Sequence, residues 1–315
     1  MCGIAGRILS EPGPVGADLV AMMQAMAHRG SDSTGFAMYG PALPEGYVVR
    51  VVSMNRRRLD QDLETFHSIL KDYGSDFLSD PTWDSLKQRH VSVRMTMSEP
   101  TAEFAEWLEE ADAIAGFEIQ SVGRTLEIVK DVGNAEEVME KHDLGSYIGT
   151  HGIANARMAT ESKVYPTASH PFWARPFPDI AIVHNGQLTN YWLTRYRLTR
   201  QGYRFYTDND SEMIAVWISD QMSRGLTLED ALKLSLTEMD GVFTYLATTP
   251  YEMGMAKDRW AIKPLAEISE NGNMATATEE QAVRKVYRKH HPVINYDGPA
   301  EYTTWACRPA KAIAA

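Results

Sequence analysis

A cysteine occupies the second position of the chain, directly after Met1. Small second residues permit removal of the initiator methionine, which would leave a thiol and a free α-amine on one residue. Such an amine has a reference pKa of about 7.7–8.0, so an unprotonated base is at hand near neutrality. A thiol is already a few per cent ionised at pH 7 and needs only a nearby base to become a nucleophile. The pair is the thiol counterpart of an N-terminal threonine, with nucleophile and base in the same residue. Position alone leaves open a plainer reading of Cys2 as a small buried side chain.

Four further segments carry residues able to do chemistry. Arg29-Gly30-Ser31-Asp32-Ser33-Thr34-Gly35 comes first. Asn155-Ala156-Arg157-Met158-Ala159-Thr160, Val183-His184-Asn185-Gly186-Gln187-Leu188 and Thr207-Asp208-Asn209-Asp210-Ser211-Glu212 follow in that order. Each alone is weak, since Asn-Gly is a common turn dipeptide. With the Met-Cys-Gly-Ile opening, the ordered set resembles the class II (N-terminal nucleophile) glutamine amidotransferases.

The resemblance implies a role for each residue, and glutamine has chemistry to match. The substrate is zwitterionic at its α-carbon, so a specific site should offer one cation and one anion. By the family pattern Arg157 would hold the α-carboxylate, which a planar guanidinium can grip in a forked manner. Asp210 would hold the α-ammonium. Attack on the side-chain amide creates an oxyanion that needs preorganised donors, and the family places these at the Asn185 amide and the Gly186 N–H. Arg29 and Gly30 would help hold the nucleophile and its amine, and Thr160 would line the substrate pocket. Outside the resemblance, Arg157 could be a surface ion pair and Asp210 a helix N-cap.

The chain departs from the family pattern in places. Ser31 stands where Pro is common. The Arg157 segment has Asn155 for the usual Thr, Met158 for an aromatic residue and Glu161 for a frequent His. Residues 257–265 are similar to a late family segment, with Ala261 in place of Gly. The long separation between Arg29 and Arg157 resembles the glutamate-synthase branch. The opening, the Asp32–Gly40 run and Phe66-His67-Ser68-Ile69-Leu70-Lys71 look most like the GlxB-type amidotransferase subunits of N-methylglutamate synthase. That likeness implies two partners, a glutamate-synthase-like FMN and iron–sulfur subunit and a small β-helical subunit. The remaining length leaves no space for a synthase domain, so a separate ammonia acceptor is expected. Two cysteines cannot supply a four-thiolate cluster, so no cofactor is expected on this chain and FMN and iron–sulfur chemistry would belong to the partner.

The elements that must position these residues are partly legible. Leu19, Met22, Met23 and Met26 share one helical face over 18–28, and Gly30 follows as a stop. Residues 36–39, 47–52 and 90–97 read as strands, 102–111 and 134–142 as helices, and 117–121 and 125–130 as two strands across a turn at Gly123. Ile180–Val183 is a buried-type strand running into His184-Asn185-Gly186, with helices over 211–222 and 227–236. Strands are expected at 242–248 and 253–256, and a short extended piece at 260–265. The resemblance implies an α+β fold, the four-layer αββα sandwich of the N-terminal nucleophile (Ntn) hydrolases, filling residues 1–315 with a small α/β module inserted at about 55–148.

Composition narrows the partners. A net charge of -11 argues against nucleic acid, because phosphate-tracking surfaces are basic. No apolar run approaches the roughly 18 residues needed to span a bilayer, and the N-terminus lacks the pattern of a secretory signal. Two cysteines at opposite ends exclude a disulfide scaffold and suit a reducing cytoplasm. His151, His170 and His184 lack metal-ligand spacing, so no metal is expected. Three functions remain: a glutaminase feeding ammonia to a partner, a catalytically silent structural or glutamate-binding subunit, and an Ntn amidohydrolase acting on another amide.

Overall fold

The computed structural model describes residues 2–83, 90–158, 165–287 and 290–308. Apolar residues on one face of each sheet and helix must be buried against another layer, and here that requirement builds four layers. The first sheet has seven strands in the order β15 (Ile294–Asn295), β13 (Ala266–Glu270), β14 (Asn273–Ala277), β1 (Gly3–Gly13), β8 (Gly149–Arg157), β2 (Ser33–Tyr39) and β7 (Leu126–Val132). The second has five, in the order β16 (Tyr302–Ala306), β12 (Glu252–Lys257), β11 (Gly241–Thr248), β10 (Ala181–Leu188) and β9 (Phe172–Trp173). All the pairings in both sheets are antiparallel.

Ile4, Ile8, Ala37 and Ile153 of the first sheet pack against Val183, Leu246 and Met255 of the second, forming the core between the sheets. Outside the seven-stranded sheet lie α1 (Val15–Ala25), α4 (Ala135–His142) and α8 (Glu280–Val283), with Leu19, Met22, Met23 and Val138 buried beneath them. Outside the five-stranded sheet lie α5 (Tyr191–Arg200), α6 (Asp210–Ser223) and α7 (Leu228–Glu238), burying Ile214, Ile218 and Leu232. This is the four-layer αββα sandwich expected from the resemblance.

Local chemistry sets the helix starts. Asn134 closes a capping box with Glu137 on α4, and the Thr227 hydroxyl accepts from Asp230 N–H at the start of α7. The methionine stripe expected over 18–28 forms α1, which starts earlier at Val15 and ends at Ala25, with Met26 as its cap and Ala27–Arg29 as a separate 3₁₀ turn.

The inserted module is a four-stranded sheet in the order β4 (Thr82–Trp83), β5 (Val91–Met97), β3 (Tyr47–Ser53) and β6 (Phe117–Gly123), covered by α2 (Leu59–Asp72) and α3 (Phe104–Asp112). The small sheet takes β3 from before residue 55. Within 55–148, β7 pairs with β2 in the seven-stranded sheet and α4 packs on α1. The two strands read across the turn at Gly123 therefore belong to different sheets. Asp179 makes the crossover possible: its carboxylate accepts from the N–H groups of Arg124, Thr125 and Leu126 and from the Thr125 hydroxyl, at 2.8–2.9 Å. Residues 260–265 are irregular rather than a strand: Asp258 captures the N–H groups of Trp260 and Ala261 at the start of the segment. Among the described residues no helix is long and apolar enough to cross a membrane.

Candidate active site

The register of the first sheet brings the N-terminus to the end of β8. Gly3 pairs with Ala156 and Ile4 with Asn155, so Cys2 enters the sheet beside Arg157. Thr278 locks this entry from the other side, its hydroxyl accepting from Ile4 N–H and its own N–H donating to the Ile4 carbonyl, both at 2.9 Å. Gly30 packs against the same place: a Cβ there would lie 2.3 Å from the Arg157 carbonyl carbon.

Facing this end across the sandwich is the end of β10. Asn155 links the sheets, its side-chain amide donating to the His184 carbonyl at 3.5 Å. Gly186 sits at φ +146, and a Cβ on it would lie 2.0 Å from the Val242 carbonyl oxygen, so the position requires glycine. α6 then aims its first turn at the same end. Asn209 caps the helix by accepting from Ser211 N–H at 2.9 Å, which leaves Asp210 as its first residue rather than its cap.

A cavity of about 580 Å³ opens where these ends meet. Cys2, Arg157, Gly186 and Asp210 line it together, although they come from four separate segments of the chain. Arg157 Nη1 donates to the Ala168 carbonyl at 2.6 Å, which orients the guanidinium along one wall. Asp210 Oδ2 accepts from Leu188 N–H at 3.0 Å on the other. Burial works to raise the Asp210 pKa, but the His184 imidazole and the Leu188 N–H outweigh it and hold the carboxyl at about 2. The cavity therefore presents a fixed cation and a fixed anion.

The remaining expected residues lie elsewhere. Asn185 sits, 4% exposed, between the lining residues His184 and Gly186 at the rim of the cavity wall. Arg29 and Gly30 stand outside the lining. Arg29 pairs with Glu279, and its Cδ lies 3.5 Å from where a Gly3 Cβ would be, so it supports the nucleophile's strand from the side. Thr160 and Met1 fall outside the described residues.

Two histidines without an assigned role in the sequence also line the cavity, and a buried lysine supports the segment of one of them. His170 and His184 both line the cavity, and both face the Ser211 hydroxyl, at 2.6 Å from His170 Nε2 and 3.0 Å from His184 Nδ1. Burial, with the neighbouring His184 and Arg157, lowers the His170 pKa well below its ordinary value. Lys130 lies beneath the segment that carries His170. Its ammonium donates to the carbonyls of Ser169 at 2.8 Å, Pro171 at 3.1 Å and Thr167 at 3.4 Å. His184 was visible as the first residue of His-Asn-Gly. Nothing local marks Lys130, because a lysine in a strand reads as a solvated edge.

Comparison with known proteins agrees with this geometry. Residues 155–285 match the family described as the glutamine amidotransferase domain. The chain is 35% identical over 291 residues to a Methanothermobacter thermautotrophicus protein described as a glutamine amidotransferase, covering 91% of this chain and 94% of that one. It is 33% identical over 288 residues to the glutamine amidotransferase-like protein GlxB of Rhizobium meliloti, covering 90% and 91% respectively. In fold it is similar to the glutamine phosphoribosylpyrophosphate amidotransferase of B. subtilis, with a TM-score of 0.60 at 19% identity. That likeness covers 96% of this chain and 47% of the larger enzyme, so the chain spans about half the length of that solved structure. The chain belongs to the class II, Ntn-type glutamine amidotransferase family, and within it stands close to the GlxB-like members.

Proposed function

We propose that this chain hydrolyses L-glutamine to L-glutamate and ammonia through the Cys2 thiol, and delivers the ammonia to a partner enzyme. The observation that carries the reading is the convergence of Cys2, Arg157, Gly186 and Asp210 on one cavity of about 580 Å³. Arg157 takes the α-carboxylate of glutamine and Asp210 the α-ammonium, which directs the side-chain amide toward Cys2.

With Met1 removed, the free amine of Cys2 accepts the thiol proton as the sulfur attacks the amide carbon. The tetrahedral oxyanion is held by the Gly186 N–H and the Asn185 amide, and loss of one such donor costs roughly 10²–10³ in rate. Collapse returns the proton to the leaving nitrogen and expels ammonia, leaving a thioester. Water then adds to the thioester, releasing glutamate and the thiol. Arg29 and Gly30 keep the N-terminal strand in place during both steps.

The ammonia acceptor in this reading is a glutamate-synthase-like subunit with FMN and an iron–sulfur cluster, in a cytoplasmic complex of the N-methylglutamate synthase type with a small β-helical subunit. Support comes from the Met-Cys-Gly-Ile opening, the Phe66–Lys71 segment and the likeness to the Rhizobium protein over nine-tenths of both chains. No cofactor is assigned to this chain.

Intact mass of the natively expressed protein, before and after treatment with diazo-oxo-norleucine, tests the catalytic step. Loss of Met1 with a single adduct, abolished in Cys2→Ala, is the expected result. Retained Met1 with no adduct would make the chain a structural or glutamate-binding subunit. Turnover of another amide with glutamine refused would make it a different Ntn amidohydrolase.

A further inference from the structure

The cavity is walled on one side by Thr207, Asp208, Asn209 and Asp210. These residues precede or open α6, and a loop of this kind needs something to hold it. Part of the support is local. The Glu212 carboxylate accepts from the N–H groups of Tyr206 and Thr207, each at 2.8 Å, and from the Thr207 hydroxyl at 2.6 Å.

The rest comes from the inserted module. Asp112 is the last residue of α3, and one terminal nitrogen of Arg175 reaches both of its carboxylate oxygens at 2.6 Å. The side chains of this pair are only 12% and 13% exposed, so the guanidinium has little water to replace a lost partner. The Arg175 guanidinium lies over the Tyr206 ring at 4.0 Å and near the Trp173 ring at 5.3 Å. Three residues before Asp112 on the same helix, Glu109 pairs with Arg204 at 2.6 Å. Two acids on one helix of the module thus grip two arginines of the sandwich, one lying over the ring that begins the loop and the other two residues before it in the chain.

We propose that the inserted module positions the glutamine-binding loop, with Asp112 as the positioning residue that acts through Arg175 and Tyr206. The role of the loop itself rests on the glutaminase reading above. Asp112 is not among the residues lining the cavity, so its effect on the substrate travels through Arg175 and through its own hydrogen bond with the Tyr206 side chain. With Asp112 fixed, Arg175 is held over Tyr206, and Thr207 to Asp210 keep the course that aims Asp210 into the site. Without it, the buried guanidinium turns toward other acceptors or water and the ring loses its platform.

Two readouts separate this role from simple stability and from failure of the glutaminase reading. Amide hydrogen exchange on the ligand-free protein should show Tyr206, Thr207 and Asn209 exchanging about tenfold faster in Asp112→Ala, with the β1–β8 amides unchanged. The KM for glutamine should rise about tenfold, a change of 1.4 kcal/mol, with kcat altered less than about twofold. Asp112→Glu should restore most of both. Glu109→Ala removes an exposed pair and should shift both readouts the same way by about twofold to threefold, which covers the case of Asp112→Ala failing to fold. Loop amides as protected in these variants as in the wild type would overturn the proposal. So would a fall in kcat with KM unchanged. Absence of glutamine hydrolysis in the wild type would remove the glutaminase reading while leaving the exchange result to decide the clamp.

Discussion

The His170 Nε2 atom stands 2.6 Å from Ser211 Oγ inside the protein. That hydroxyl also faces His184 Nδ1 at 3.0 Å, and His184 in turn lies 3.4 Å from Asp210 Oδ1. One hydroxyl therefore joins two buried imidazoles behind the carboxylate that this reading gives to the substrate ammonium. Ser211→Ala removes the common partner of both rings. The cost should be about 1–3 kcal/mol, the usual penalty for stranding a buried polar group. Urea unfolding measures it, and the glutamine KM should rise in the same variant because Asp210 loses its backing. Unchanged stability would mean the imidazoles find other partners.

Acid should weaken the fold through its buried imidazoles. His151 is stacked on Tyr39 and is held neutral by burial, with its pKa lowered to about 4. His170 is lowered in the same direction. In the unfolded chain both take up a proton near pH 6.5, whereas the folded protein resists until lower pH. Between those limits the unfolded state binds more protons, so stability falls as pH falls. The penalty is absent above about pH 6.5 and grows toward pH 4, reaching about 3 kcal/mol for His151 alone. Denaturant midpoints at pH 7, 6, 5 and 4 should follow that slope, and in His151→Gln the slope should flatten.

Gly30→Ala should disturb the site from a residue that does not itself line the cavity. The added methyl would meet the Arg157 carbonyl carbon at 2.3 Å and Met158 N at 2.6 Å. Both are backbone atoms, so no side chain can swing clear. A cost of about 1–3 kcal/mol is expected for such overpacking. The displaced Arg157 should raise the glutamine KM as well, and steady-state kinetics beside a melting curve would register both. A variant with wild-type values in each would show that the close approach relaxes freely.

Ala261→Gly runs in the opposite direction. Ala261 sits at φ +53, a conformation that a Cβ makes unfavourable, at the position where related proteins have Gly by the family pattern. Glycine there should stabilise the protein by about 0.5–1 kcal/mol, since the strain relieved slightly exceeds the entropy glycine loses. Calorimetry should find a higher melting temperature, and a lower one would refute the strain.

Much of the site was legible because each of its segments carries its own chemistry. Cys2, Arg157, Gly186 and Asp210 were identifiable one by one, and the structure brings them to one cavity. The sandwich was legible through the same motifs rather than through periodicity. What escaped depends on long-range pairing or on burial. β7 follows β6 after two residues, yet it pairs with β2, some ninety positions earlier. No local pattern distinguishes that from a hairpin. α5 carries aromatic and arginine side chains without an apolar stripe, and Trp192, Leu193 and Tyr196 are exposed, so the 3.6-residue signal is missing. Lys130 is buried because three loop carbonyls surround it, and those carbonyls come from residues nearly forty positions away.

The joint between β2 and β7 also bears on how such a chain could have arisen. Tyr39 lies opposite Leu126 in an antiparallel pair, so the points where the chain leaves the seven-stranded sheet and returns are adjacent. In outline the two strands are a hairpin, and residues 40–125 are its loop. Lengthening or shortening a loop between paired strands leaves their register unchanged. An ancestor with a short turn at this point could have carried the same sandwich and the same four-segment site. Acquisition of the module would then have added a separate handle on substrate affinity, open to selection without any change in the residues that perform the chemistry.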